Sequence, residues 1–82
     1  MTARERFTIR GDVASPRFPP WIERHARRLG LRLASTEVRG GAVEIVVAGE
    51  PDLLDALEVG CSLGPIEVSV DLIERESLSA AR

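Results

Sequence analysis

Alternation of apolar and polar residues marks two segments of the chain as half-buried β-strands, and a run of β-branched residues marks a third strand. In residues 6–13, Phe7, Ile9, Gly11 and Val13 share one face. Residues 42–48 are the richest in β-branched side chains and predict a central strand. In residues 66–72, Ile, Val, Val and Leu alternate with polar and acidic residues, which predicts a final strand. Residues 31–38 predict a further strand, although its alternation is interrupted.

Two other segments carry apolar residues at the spacing of an amphipathic helix. The first covers residues 21–29, and Gly30 supplies a left-handed stop after it. The second helix begins near Pro51, because proline suits the first helical position. It is predicted to end at Gly60, and residues 61–65 are predicted to form a loop.

The order of these elements predicts the fold. Arg39-Gly40-Gly41 predicts a tight hairpin turn, since paired glycines tolerate positive φ angles. The order is therefore βαββαβ. Two split βαβ units with right-handed crossovers give a four-stranded antiparallel sheet with both helices on one face. This α+β architecture is the ferredoxin-like α/β plait. We expect a single domain over residues 1–82, with an ordered core over about residues 5–74 and a polar C-terminal tail over residues 75–82.

Length and composition exclude several classes of protein. The 82 residues allow one core, and 11 Lys and Arg against 13 Asp and Glu give a net charge of −2. This balance does not favour nucleic-acid binding. No apolar run approaches the ~18 residues of a membrane span, and the charged N-terminus lacks the apolar core of a signal peptide. The single cysteine, Cys61, excludes an internal disulfide and a cysteine zinc site. We expect a cytoplasmic protein without metal, cofactor, membrane or nucleic-acid partner.

The segment from Gly11 to Trp21 joins the first strand to the first helix, a junction that suits anion binding. A set of glycines and apolar residues recurs along the chain at fixed spacing: Gly11-Asp12-Val13, Phe18, Ala26, Leu29-Gly30-Leu31, Gly41-Ala42-Val43-Glu44, Gly49 and Gly64-Pro65. In these residues and their spacing the chain resembles the acylphosphatase family over nearly its whole length. The resemblance implies the ferredoxin-like fold and cofactor-free hydrolysis of carboxyl-phosphate anhydrides. It also implies that loop amides and an arginine hold the phosphate, while an asparagine on the second strand positions the attacking water.

The two catalytic positions of the family are not kept. By spacing, the family's arginine falls on Pro19 and its asparagine on Glu37. Prolines remove N–H donors from the loop, and a carboxylate at Glu37 would repel a phosphate dianion. No residue is therefore predicted to be catalytic. The candidate anion-binding residues that remain are Arg17, Ser15 and Phe18.

Two functions stay open on these residues, and whether the chain is an enzyme is undecided. One is an acylphosphatase-like domain without efficient hydrolysis that acts as a binding or interaction module. The alternative is weak hydrolysis of acyl phosphates, in which Arg17 substitutes for the missing loop arginine. The ligand would be phosphate or a small acyl phosphate. An acidic protein partner is a further candidate, because the first helix and its end carry Arg24, Arg27, Arg28 and Arg32.

Three other residues of reactive or aromatic type are expected to be structural. His25 has no second metal ligand at a suitable spacing, and Cys61 has no activating group near it in the sequence. Trp21 is expected to pack the first helix on the sheet or to cover the loop, and an exposed contact role is its alternative.

Overall fold

The computed structural model describes residues 2–78. Its elements are β1 (Ala3–Asp12), α1 (Phe18–Arg28), β2 (Arg32–Arg39), β3 (Ala42–Gly49), α2 (Pro51–Leu63) and β4 (Ser69–Ser77). The four strands pair antiparallel in the order β2-β3-β1-β4. The predicted βαββαβ topology and its antiparallel sheet are therefore confirmed. Gly40 and Gly41 both adopt positive φ angles in the β2–β3 turn, as the hairpin prediction requires.

The hydrophobic core lies between one face of the sheet and the two helices. Strands β1 and β3 supply its central layer, and both helices pack on it with apolar side chains. The fully buried members are Phe7, Ile9, Val43, Ile45 and Val47 from the sheet and Phe18, Ile22, Ala26, Leu54, Leu57 and Cys61 from the helices. Neither of the two described helices covers the other face of the sheet, which is called the open face below. Among residues 2–78, no helix is long and apolar enough to cross a membrane.

The predicted end of α2 at Gly60 is wrong. The helix continues through Cys61 to Leu63, and Gly64, with φ +61°, ends it. Gly60 instead allows the two helices to approach, because a Cβ at this position would lie 2.0 Å from Nε2 of His25. Cys61 is accordingly a buried helical residue rather than part of a loop.

A β-bulge changes which residues of β4 face the core. The register of β1 and β4 shifts between Arg10 and Gly11, so that Ile9 pairs with Ile73 while Gly11 pairs with Val70. Val70 and Ile73 therefore pack on the core, whereas Leu72 points to the open face and is 51% exposed. The predicted alternation of residues 66–72 is wrong at Leu72, because one extra residue reverses the faces of a strand.

The first and last residues of β4 also differ from the predicted ones. It begins at Ser69 and continues through Ser77, which pairs with Glu5 of β1. Ile66 lies before the strand in a turn and is fully exposed. Residues 75–77, predicted to belong to the C-terminal tail, are thus part of the sheet, and residues 79–82 of that tail lie outside the described residues.

Arg75 anchors the C-terminal half of β4 through several side-chain contacts. Its guanidinium donates to Oε1 of Glu5 at 2.7 Å and to the carboxylates of Asp55 and Glu58 on α2 at 2.8 Å each. It also lies 5.0 Å from the centre of the Phe7 ring. The hydrogen bond to Glu5 is the main reason that the pKa of Arg75 is raised. This cluster ties β4 to β1 and α2.

Candidate functional site

The loop between β1 and α1 is held at both ends by buried side chains. Val13 precedes it and Phe18 closes it, and both belong to the core. Helix α1 begins at Phe18, three residues before the predicted start, with Pro19 and Pro20 in its first turn. Proline is tolerated there because the first helical N–H groups have no partner within the helix. The loop therefore leads directly into the N-terminus of α1, as the sequence predicts.

The N–H groups at this helix N-terminus are all accounted for within the loop. The N–H of Arg17 donates to Oγ of Ser15 at 3.2 Å, and the N–H of Phe18 donates to the carbonyl oxygen of Ser15 at 3.1 Å. The N–H of Trp21 donates to the carbonyl oxygen of Arg17 at 3.1 Å. The remaining residues of the turn are Pro16, Pro19 and Pro20, which have no N–H. No backbone donor from residue 16 to residue 21 is thus left to bind an anion.

A carboxylate adds negative charge to the same loop. Oγ of Ser15 donates to Oε2 of Glu67 at 3.4 Å, so this hydroxyl is engaged on both sides. The side chain of Phe18 is fully buried and offers nothing to a ligand. Of the three predicted anion-binding residues, only Arg17 has an exposed side chain without a partner among residues 2–78.

Glu37 lies away from this loop. It pairs in register with Glu44, which pairs with Thr8, and this row of side chains lies on the open face. Glu37 forms an ion pair with Arg39 there and lines a hollow of about 370 Å³ together with Arg6 and Glu44. The loop leads instead to α1, which covers the opposite face. The structure therefore does not bring Glu37 together with Arg17.

A second β-bulge places the side chain of Glu37 on the open face. The register of β2 and β3 shifts between Leu33 and Ser35, and Ala34 is left without a partner. After the bulge, Thr36 pairs with the core residue Ile45. Thr36 is therefore the polar residue of β2 that lies on the same face of the sheet as α1. The sequence prediction missed Thr36. The interrupted alternation of residues 34–37 was the one signal of the bulge.

A groove of about 430 Å³ lies between α1 and the first half of β2. Glu23 and Arg27 form its helical wall, while Leu31 and Leu33 supply an apolar floor. Thr36 lies at its end on β2. This groove combines charged, hydroxyl and apolar groups and lies apart from the loop. The sequence prediction missed it, because its two walls come from elements that meet only in the folded chain.

The aromatic residues of α1 have packing roles. Trp21 is half-buried, tilted against Phe18 at 5.9 Å between ring centres and stacked on His25 at 5.2 Å with 12° between the planes. His25 is thereby held between Trp21 and Gly60. Within the described part of the chain, no group of three or more His, Cys, Asp or Glu could hold a metal ion.

The sheet order, the two helices on one face and the loop at the N-terminus of α1 define a small α/β-plait domain of the acylphosphatase type. The sequence model of the acylphosphatase family matches residues 5–81. An acylphosphatase from Nitrobacter hamburgensis is 33% identical over 75 residues, which cover 92% of this chain and 76% of the relative. An acylphosphatase from Marinobacter nauticus is 34% identical over 79 residues, which cover 96% of this chain and 86% of the relative. The solved structure of an acylphosphatase from Coxiella burnetii superposes with a TM-score of 0.87 at 23% identity, over 99% of this chain and 85% of that one. The chain belongs to the acylphosphatase family.

Proposed function

We propose that this acylphosphatase-family domain does not hydrolyse acyl phosphates efficiently and acts as a binding or interaction module. The observation that carries the proposal is the complete internal use of the N–H groups of residues 16–21. The resemblance to the family implies that such amides, together with an arginine, hold the phosphate. Here three of the six residues are prolines and the other three N–H groups already have acceptors.

The charges around the loop support the same proposal. The family's arginine position holds Pro19, and Glu67 brings a carboxylate to Ser15. The family's asparagine position holds Glu37, whose side chain lies on the open face. Removing one donor from a preorganised anion site lowers kcat by roughly 10²–10³-fold. The loss of the arginine and of several amides therefore predicts turnover close to the uncatalysed rate.

A second candidate function is weak hydrolysis of carboxyl-phosphate anhydrides, and one observation favours it. The guanidinium of Arg17 stands at the N-terminus of α1, is exposed, and has no partner among the described residues. An arginine fork in that place can bind phosphoryl oxygens in a bidentate manner. The ligand in this case is phosphate or a small acyl phosphate.

Turnover of benzoyl phosphate separates the two functions. The matched variants are Arg17→Ala and Arg24→Ala, because both remove an exposed guanidinium from α1 or its N-terminus while only the first alters the loop. We expect the wild type and both variants to hydrolyse benzoyl phosphate at the spontaneous rate. Turnover well above that rate, lost in Arg17→Ala and kept in Arg24→Ala, would establish the second function and refute the first.

A further inference from the structure

The arginines of the chain fall into two groups by their partners. All 11 Lys and Arg residues are arginines. On the sheet, Arg6 pairs with Glu76, Arg10 with Glu74 and Arg39 with Glu37. On α1, at its N-terminus and at the first residue of β2, the exposed guanidinium groups form no ion pair or hydrogen bond with any residue from 2 to 78. These unpaired residues are Arg17, Arg24, Arg27, Arg28 and Arg32.

The unpaired group is concentrated on the last turns of α1. Arg24 and Arg28 are four residues apart, a spacing at which like charges destabilise a helix. The helix dipole offsets part of this repulsion, since Arg27 and Arg28 lie in the last turn. Glu23 is the only acidic residue of the helix, and it forms no ion pair with them in the described structure. This face therefore keeps a concentrated positive charge that the fold does not neutralise.

The groove between α1 and β2 adjoins this charge, because Arg27 belongs to both. Its volume, about 430 Å³, is near the lower end of the range of roughly 300–1,000 Å³ for ligand pockets. Leu31 and Leu33 give it an apolar floor. We propose that this surface binds an acidic segment of a partner protein, whose carboxylates pair with Arg24, Arg27 and Arg28 and whose apolar side chain enters the groove. The inference rests on the proposed binding role of the domain.

The same surface fits carboxylates better than nucleic acid. Arginine binds carboxylates and phosphates alike through two parallel hydrogen bonds, so the choice between the two partners rests on the other groups of the protein. Proteins bind single-stranded nucleic acids largely by stacking bases on aromatic side chains, but here Phe7 and Phe18 are buried and Trp21 is stacked on His25. The whole chain carries a net charge of −2, a balance that does not favour a polyanionic nucleic acid. The charge and the shape thus select an acidic peptide that carries an apolar residue.

Fluorescence anisotropy with the labelled peptide Asp-Glu-Glu-Leu-Glu-Asp tests this inference, at about 50 mM NaCl, where screening is weak. We expect the triple variant Arg24→Gln, Arg27→Gln, Arg28→Gln to raise the Kd roughly 10-fold, since each exposed ion pair contributes a few-fold in affinity. The matched control replaces Arg6, Arg10 and Arg39 by Gln, which removes equal charge from the open face. It should change the Kd less than about two-fold. Circular dichroism establishes that both variants are folded.

Two further measurements examine the groove itself. Replacing the peptide's Leu by Ser should weaken binding about five-fold or more, because an apolar contact is lost. The substitution Ala34→Phe, which fills part of the groove with a larger side chain at an exposed lining residue, should weaken binding by a similar factor. The inference is overturned if the wild type does not bind the peptide, if the control triple weakens binding as much as the α1 triple, or if a duplex DNA binds more tightly at the same salt. Turnover of benzoyl phosphate by the wild type would refute the proposed lack of hydrolysis and leave these binding results unchanged, so the two failures are distinguishable.

Discussion

Cys61 should make the stability of this domain fall in alkaline solution. The thiol is fully buried on α2, and burial, with a smaller contribution from the charge of Glu58, raises its pKa from 9.0 to about 12. The sequence has no tyrosine, and each of its basic Lys or Arg side chains is an arginine. Cys61 is therefore the side chain whose ionisation falls between pH 9 and pH 12.

The sign of the effect follows from proton binding in the two states. The unfolded chain loses the thiol proton near pH 9.0, whereas the folded chain keeps it until about pH 12. Above pH 9 the unfolded state binds fewer protons, so the free energy of unfolding decreases as pH rises. The stabilisation is complete below pH 9, is reduced by about 1.4 kcal/mol at pH 10, and then falls by a similar amount per pH unit up to pH 12. This is a large fraction of the roughly 5–15 kcal/mol that stabilises a small domain.

Urea unfolding followed by circular dichroism, repeated between about pH 8 and pH 10.5, measures how the free energy of unfolding decreases with pH. This interval spans the ordinary titration range of a thiol. The control is Cys61→Val, which keeps a small apolar side chain in the core and removes the thiol. Its free energy of unfolding should change little over the same interval. A wild type that keeps its stability to pH 10.5, or a Cys61→Val variant that loses as much as the wild type, would contradict the assigned burial of the thiol.

Three other predictions address the loop, the helix contact and the ion cluster. Replacing residues 15–19 by the family's Gly-Val-Gly-Phe-Arg should give inorganic phosphate binding with a Kd of about 1 mM by ³¹P NMR titration, because it restores N–H donors and an arginine. Adding Glu37→Asn should then change that Kd less than two-fold, and a large gain would contradict its place on the open face. Gly60→Ala should destabilise the fold by about 1 kcal/mol in urea unfolding, since overpacking against His25 costs roughly 1–3 kcal/mol and helix propensity returns about 1. In a His25→Ala background, Gly60→Ala should stabilise the fold instead of destabilising it. If the changes in the free energy of unfolding caused by Gly60→Ala and His25→Ala were additive, the contact would be refuted. Arg75→Met should lower the free energy of unfolding by about 2 kcal/mol. This is less than the cost of breaking a fully buried ion pair, because the side chain of Arg75 is 23% exposed. A change below about 0.5 kcal/mol would show that the cluster is not stabilising.

The sequence predicted the elements whose patterns are regular. The alternation of Phe7, Ile9 and Gly11 was enough to place β1, and the β-branched run of residues 42–48 was enough to place β3. Gly40 and Gly41 fixed the turn, because few residues other than glycine adopt positive φ in succession. The family's motif spacing also located the loop at the N-terminus of α1, and its placement of the arginine position on Pro19 stays a prediction.

The candidate site was predicted only in part. The loss of N–H groups at the prolines was visible in the sequence, but the internal acceptors for Arg17, Phe18 and Trp21 were not. The approach of Glu67 to Ser15 joins residues that are 52 positions apart, and no local pattern indicates it. The same is true of the groove, whose walls belong to α1 and β2.

What the sequence by itself determined is the order of the elements and the location of the loop, because both depend on local periodicity and on residue types with restricted backbones. What only the tertiary structure decided is where side chains finally point. One unpaired residue at Ala34 and one register shift at Gly11 place Glu37 and Leu72 on the open face. Gly60 lies within α2 and faces His25 of α1, while Gly64 ends that helix. A single inserted residue reverses the faces of a strand, and its cost is offset by contacts between elements that are distant in the chain.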